Sequence, residues 1–127
     1  MATILFIEDE SALQETLGGF LRDGGHTVIA ALNGDDGLRL AREKRPDVVL
    51  LDLILPRLSG LEVLESFRRD PLLQSVPVIV LTNVESNESV ERAMALGATA
   101  YLIKTNYALE EVGAKIDAVL NLGKGHA

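Results

Sequence analysis

Cysteine is absent from this 127-residue sequence, which excludes a disulfide framework and a thiolate metal site. Tryptophan is absent too, and aromatic residues make up only 4% of a chain that is 47% hydrophobic. Its core must therefore come mainly from Leu, Val, Ile and Ala, a composition suited to helices packed on a buried sheet. No long hydrophobic run is present at the start, because Thr3-Ile4-Leu5-Phe6-Ile7 runs directly into Glu8-Asp9-Glu10. That segment is too short to span a membrane and lacks the basic start of a signal peptide, so a cytoplasmic location and no membrane partner are expected. Positive charge is also scarce, with 12 Lys and Arg against 19 Asp and Glu and a net charge of −7. A nucleic-acid backbone would repel such a domain, so no direct nucleic-acid binding is expected.

What is present reads as one domain, since a chain of this length buries roughly two-thirds of the surface that its unfolded form exposes. Five short β-branched or leucine-rich runs recur, at Thr3 to Ile7, Thr27 to Ala31, Val48 to Leu51, Val78 to Leu81 and Ala100 to Ile103. Three of them are apolar throughout, as strands covered on both faces are. Between them the spacing is helical: Leu13, Leu17, Phe20 and Leu21 form one stripe, and Leu109, Val112, Ile116, Val119 and Leu120 another. Asn33 is expected to cap a helix that ends in Lys44 and Arg45, and Ser59 with Glu62 reads as a capping box. Gly97 is expected as a helix stop and Asn106 as the cap of the last helix. Strict βα alternation predicts an α/β domain, a single (βα)5 unit over residues 1–122 with a parallel sheet and helices on both faces. Residues 123–127 are expected as a frayed tail.

In such a sheet ligands bind beyond the carboxyl ends of the strands, so the residues after each strand carry the information. Glu8, Asp9 and Glu10 follow the first strand, Asp52 the third, Thr82 the fourth and Lys104 the fifth. Taken singly, a carboxylate at such a place is more often a helix cap or a solvated loop residue, and Glu10 or Ser11 could cap the first helix. Asp52 is harder to dismiss, because it sits between Val48-Val49-Leu50-Leu51 and Leu53-Ile54-Leu55, where a charge is costly unless paired or metal-bound. Glu8, Asp9 and Asp52 clustered at one edge would repel one another. A divalent cation removes the conflict, and an all-oxygen site suits Mg2+. The same ion would cancel charge on an incoming phosphoryl group, with Lys104 as a second cation and the Thr82 hydroxyl as a donor. An aspartate is already ionised near neutral pH and needs no general base to act as nucleophile.

Four segments in this order and spacing resemble the receiver domain of two-component response regulators, a CheY-like branch of the flavodoxin-like superfamily. They are Ile4 to Glu10, Val48 to Leu53 with Leu55-Pro56-Arg57-Leu58-Ser59-Gly60, Pro77 to Thr82, and Gly97 to Lys104. The resemblance spans essentially the whole chain and implies strand order 2-1-3-4-5. It implies that Asp52 accepts a phosphoryl group from a histidine of a sensor kinase or histidine phosphotransfer protein. Asp9 and Asp52 would bind Mg2+ directly, Glu8 through water, and Ile54 through its backbone carbonyl. Thr82 and Tyr101 would switch position on phosphorylation, with Lys104 paired to the phosphoryl oxygens. The output would be a protein partner on the face of the fourth helix, fifth strand and fifth helix, where Glu88, Glu91, Arg92, Tyr101 and Tyr107 fall. Such a domain is a phospho-acceptor that assists its own phosphorylation and slow hydrolysis, and is not otherwise an enzyme.

Three neighbours depart from the family pattern. Thr105 stands where a proline usually follows the lysine, so a trans bond is expected there. Asn83 replaces a small residue, and Ile54 a residue that is often polar. Other classes fit less well. A haloacid-dehalogenase-like phosphatase places a second aspartate where Ile54 stands, and a flavodoxin-like cofactor binder would have its phosphate repelled by Glu8-Asp9-Glu10. A receiver-like binder that works without phosphorylation would have no need of Asp9, Asp52, Thr82 and Lys104 together.

Overall fold

The structure is a computed structural model that describes residues 2–124. Five strands, β1 (Thr3–Ile7), β2 (Thr27–Ala31), β3 (Val48–Leu51), β4 (Val78–Thr82) and β5 (Ala100–Ile103), alternate with five helices. These are α1 (Ser11–Asp23), α2 (Gly34–Lys44), α3 (Gly60–Arg69), α4 (Asn87–Ala95) and α5 (Leu109–Lys124), with a 3-10 turn at Lys104–Asn106. The sheet is fully parallel in the order β2-β1-β3-β4-β5, as expected. β1 leads outward to β2 on one side, and β3 lies against it on the other, so the chain changes direction across the sheet between β1 and β3.

Because side chains alternate along a strand, each central strand feeds two cores. Ile4, Phe6, Val48, Leu50, Ile79 and Leu81 meet Leu17 and Leu21 of α1 and Val112, Ile116 and Val119 of α5. Leu5, Ile7, Val49, Leu51, Val78 and Val80 meet Ala41 of α2, Val63, Leu64 and Phe67 of α3, and Ala93 of α4. Burial of both faces explains why the central strands lack a polar alternation. Truncating a core side chain such as Phe67 to Ala would cost about 3–5 kcal/mol.

Local signals mostly hold. Asn33 accepts from the Asp36 N–H at 2.8 Å, and Ser59 and Glu62 form the reciprocal capping box. Gly97, at φ +84, turns the chain from α4 into β5. One expectation fails, and one open alternative is settled. Asn106 is not the cap of the last helix: it lies in the 3-10 turn, and the helix starts at Leu109, where the Ala108 N–H is met by the Glu111 carboxylate at 2.9 Å. Neither Glu10 nor Ser11 caps α1 through its side chain; Glu10 holds the N-cap position without a side-chain bond. The α5 helix continues to Lys124, two residues past the expected domain end, and residues 125–127 of the expected tail lie outside the described residues. No described peptide bond is cis, so Lys104–Thr105 is trans.

Candidate functional site

The carboxyl ends of β1, β3 and β5 converge on a cleft of about 250 Å3 lined by Glu8, Asp9, Glu10, Asp52, Ile54, Asn83 and Lys104. It lies where the strand order reverses, the place at which open parallel sheets bind ligands. Gly60 helps to set the cleft wall. Its N–H donates to the Leu53 carbonyl at 2.9 Å, and a Cβ at this position would overlap the Asp52 carbonyl oxygen. Only glycine lets α3 begin so close to the segment that carries Asp52.

Glu8 is 1% and Asp52 5% exposed, whereas Asp9 is open to solvent. One carboxylate oxygen of each lies within 4.8 Å of the others. Lys104 Nζ donates to Asp52 Oδ2 at 2.9 Å and lies 2.7 Å from Glu8 Oε1. That ion pair sets the ammonium against Glu8 Oε1, which has no other donor among the described residues. The other oxygen of each acid is held by backbone: the Ile54 N–H donates to Asp52 Oδ1 at 3.2 Å, and the Glu10 N–H to Glu8 Oε2 at 3.0 Å.

Burial raises the Glu8 pKa above the ordinary glutamate value; the Lys104 ammonium and the Glu10 N–H pull it back, and the Asp52 charge adds to the rise. For Lys104 burial acts to lower the pKa, but its bonds to Glu8 and Asp52 outweigh that and raise it. Two buried carboxylates thus share one ammonium, with the exposed Asp9 carboxylate clustered beside them. An oxygen-only donor set of three clustered carboxylates fits a hard divalent cation such as Mg2+.

The structure brings Glu8, Asp9, Asp52, Ile54 and Lys104 together, as the sequence predicts, and puts Thr82 and Tyr101 behind the cleft wall. Thr82 is fully buried, and its Oγ1 accepts the Val84 N–H at 3.4 Å. Tyr101 is half-buried, and its hydroxyl donates to the Val84 carbonyl at 2.7 Å. Burial, and secondarily the Asp52 charge, raises the Tyr101 pKa, which keeps that donor protonated. Ile54, 63% exposed, faces solvent at the cleft rim. Sequence reading missed two residues: Val84, whose peptide groups join Thr82 to Tyr101, and Gln14, buried under the β1 end. A polar residue on the buried side of α1, one turn before Leu17, was the available signal for Gln14; Val84 offered none, because it acts through its backbone.

A family model described as the response regulator receiver domain matches residues 4–117. The chain is 38% identical over 124 residues to the transcriptional regulatory protein AfsQ1 of Streptomyces coelicolor, covering 98% of this chain and 53% of that protein. It is 36% identical over 104 residues to the protein PilH of Pseudomonas aeruginosa, covering 82% of this chain and 86% of that one. The chain therefore spans about half the length of AfsQ1 but most of PilH. Among solved structures it is similar to the chemotaxis protein CheY4 of Vibrio cholerae, with a TM-score of 0.87 and 28% identity over 94% of this chain and 98% of that one. A CheY-like receiver domain protein of Methanospirillum hungatei JF-1 shares the fold, with a TM-score of 0.93 and 24% identity over 100% of this chain and 99% of that one.

Proposed function

This chain belongs to the response regulator receiver domain family, and from that premise we propose that Asp52 is its phospho-acceptor. The donor is the phosphohistidine of a sensor kinase or a histidine phosphotransfer protein. The observation that carries the reading is the buried Asp52 carboxylate, bonded to Lys104 at 2.9 Å and clustered with Glu8 and Asp9. An Asp52 oxygen forms the new bond to phosphorus while the P–N bond of the donor breaks and the imidazole leaves. Lys104 passes from the carboxylate to the phosphoryl oxygens, and the Ile54 N–H keeps the acid oriented. Asp9, Asp52 and the Ile54 carbonyl would hold Mg2+, with Glu8 acting through water. When bound, that ion supplies the positive charge that offsets charge on the transferring phosphoryl group.

The hydrogen bonds behind the cleft support a route to the surface. Thr82 can donate to a phosphoryl oxygen only by rotating toward the cleft, which gives up its acceptance of the Val84 N–H. Tyr101 holds the other side of the same residue, so the Val84 loop and the Tyr101 ring shift together. The output is a protein partner on the face of α4, β5 and α5, where Glu88, Glu91 and Arg92 are exposed and Tyr107 half-buried. The domain acts in the cytoplasm as a signalling phospho-acceptor with slow self-hydrolysis, and its negative charge argues against direct contact with nucleic acid.

Incubation with acetyl phosphate and Mg2+, read by intact mass, tests the acceptor. Wild type is expected to gain one phosphoryl mass and Asp52→Asn none; an unmodified wild type would overturn the proposal. Ile54→Asn and Asn83→Ala alter the cleft rim and are expected to change the dephosphorylation rate. Unchanged rates in both would show that the rim does not set phosphoryl lifetime.

A further inference from the structure

A buried amide on α1 reaches the same acidic turn from below. Gln14 is 7% exposed and lies on the face of α1 that also buries Leu17, Gly18 and Leu21. An apolar residue here would simply lengthen the stripe, whereas a buried amide is costly unless it is bonded. Its Nε2 donates to the carbonyls of Phe6 at 2.9 Å, Glu8 at 3.0 Å and Ala31 at 3.2 Å. With two N–H groups for three acceptors, one hydrogen is shared. Its Oε1 is buried without a hydrogen-bond partner, so the side chain is oriented by what it donates.

Those three carbonyls mark the ends of β1 and β2 and the first residue of the acidic turn. The Ala31 carbonyl also accepts the Glu8 N–H at 2.9 Å, and the Gln14 N–H donates to the Glu10 carbonyl at 3.1 Å. The Glu10 N–H in turn holds Glu8 Oε2. Glu8 is thus fixed at its N–H, its carbonyl and one carboxylate oxygen; the Gln14 side chain is itself the partner of the carbonyl and shares with the Glu8 N–H its acceptor, the Ala31 carbonyl. We propose that Gln14 is a positioning residue for the cation site, holding the Glu8–Asp9 turn where its carboxylates face Asp52. This rests on the reading of the cleft as a divalent cation site.

The test is Mg2+ affinity of the full chain by titration calorimetry, with thermal unfolding measured without metal. Gln14→Met, which keeps volume but has no donor, is expected to bind Mg2+ about tenfold more weakly, the scale seen when partners of metal ligands are removed. Gln14→Asn, whose amide is too short to reach all three carbonyls, serves if the Met variant does not fold, and is expected to weaken in the same direction. Gln14→Arg, which restores long N–H donors, is expected to recover most of the affinity. If Gln14→Met and Gln14→Asn unfold more easily yet bind Mg2+ as wild type does, Gln14 is only structural and the inference fails. If Asp9→Asn also binds as wild type does, or wild type binds no Mg2+, the cation reading fails beneath it.

Discussion

At the amino end of the sheet, polar side chains close off the backbone; at the carboxyl end, they are left in conflict. Arg68, from α3, donates to the carbonyls of Gln74, Val76, Leu96 and Gly97 at 2.9 to 3.1 Å, joining the segment before β4 to the turn before β5. Asp47 accepts the Thr3 N–H at 2.8 Å, His26 Nδ1 accepts the Ala2 N–H at 3.1 Å, and Arg42 meets Asp70 at 2.7 Å. Each of these side chains has a partner in the fold. At the other end Glu8 and Asp52 share Lys104, and the Asp9 carboxylate clusters beside them. The same strands support both ends, so the contrast comes from the side chains at the strand ends. One end ties backbone segments together, and the other gathers like charge at one edge.

The largest expected effect separates the two ends outright. Removing metal with a chelator, or replacing Asp9 by Asn, should abolish phosphorylation by acetyl phosphate. The thermal midpoint should move by no more than about 4 °C, the shift worth roughly 1 kcal/mol in a domain of this size. A collapse of the fold in either case would erase the distinction. Gly60→Ala links stability to the site, because the added methyl overlaps the Asp52 carbonyl. It should cost about 3 kcal/mol by denaturant unfolding and slow phosphorylation as well.

Arg68→Met should do the reverse of Asp9→Asn. It strips the donor from four carbonyls, and should cost about 2 kcal/mol while acetyl phosphate still labels the protein. Loss of labelling in a folded Arg68 variant would mean that the two ends are coupled. The smallest effect is expected at Asp70, whose pKa is held below its ordinary value of 3.8 by the Arg42 hydrogen bond and then by the Leu72 N–H. A depressed carboxylate contributes stability above its unfolded pKa and loses it as pH falls through the folded value. The stability gap between wild type and Asp70→Asn should therefore be present at neutral pH and close in acid below 3.8.

Much of the fold was legible because its signals are local. The bounds of the strands at Thr3 to Ile7 and Thr27 to Ala31, the Asn33 cap and the Ser59–Glu62 box each depend on residues a few positions apart. Asn106 misled because a capping residue type says nothing about whether a 3-10 turn intervenes before the helix. The acids and the lysine of the cleft were legible for a related reason: each directly follows an apolar run, and a parallel sheet brings all such positions to one edge.

By itself the sequence determined which residues reach that edge and that a carboxylate, Asp52, would be embedded among apolar neighbours. Only the tertiary structure decided how those groups share their charge. Lys104 meets Asp52 across 52 residues of chain and leans toward Glu8. Thr82 points its hydroxyl to the Val84 N–H, and Gln14 gathers carbonyls from β1, β2 and the turn between β1 and α1. Such bonds depend on side-chain direction and on distances between elements, which local spacing does not encode. Burial then sets their strength, because the same pairs in water would be screened.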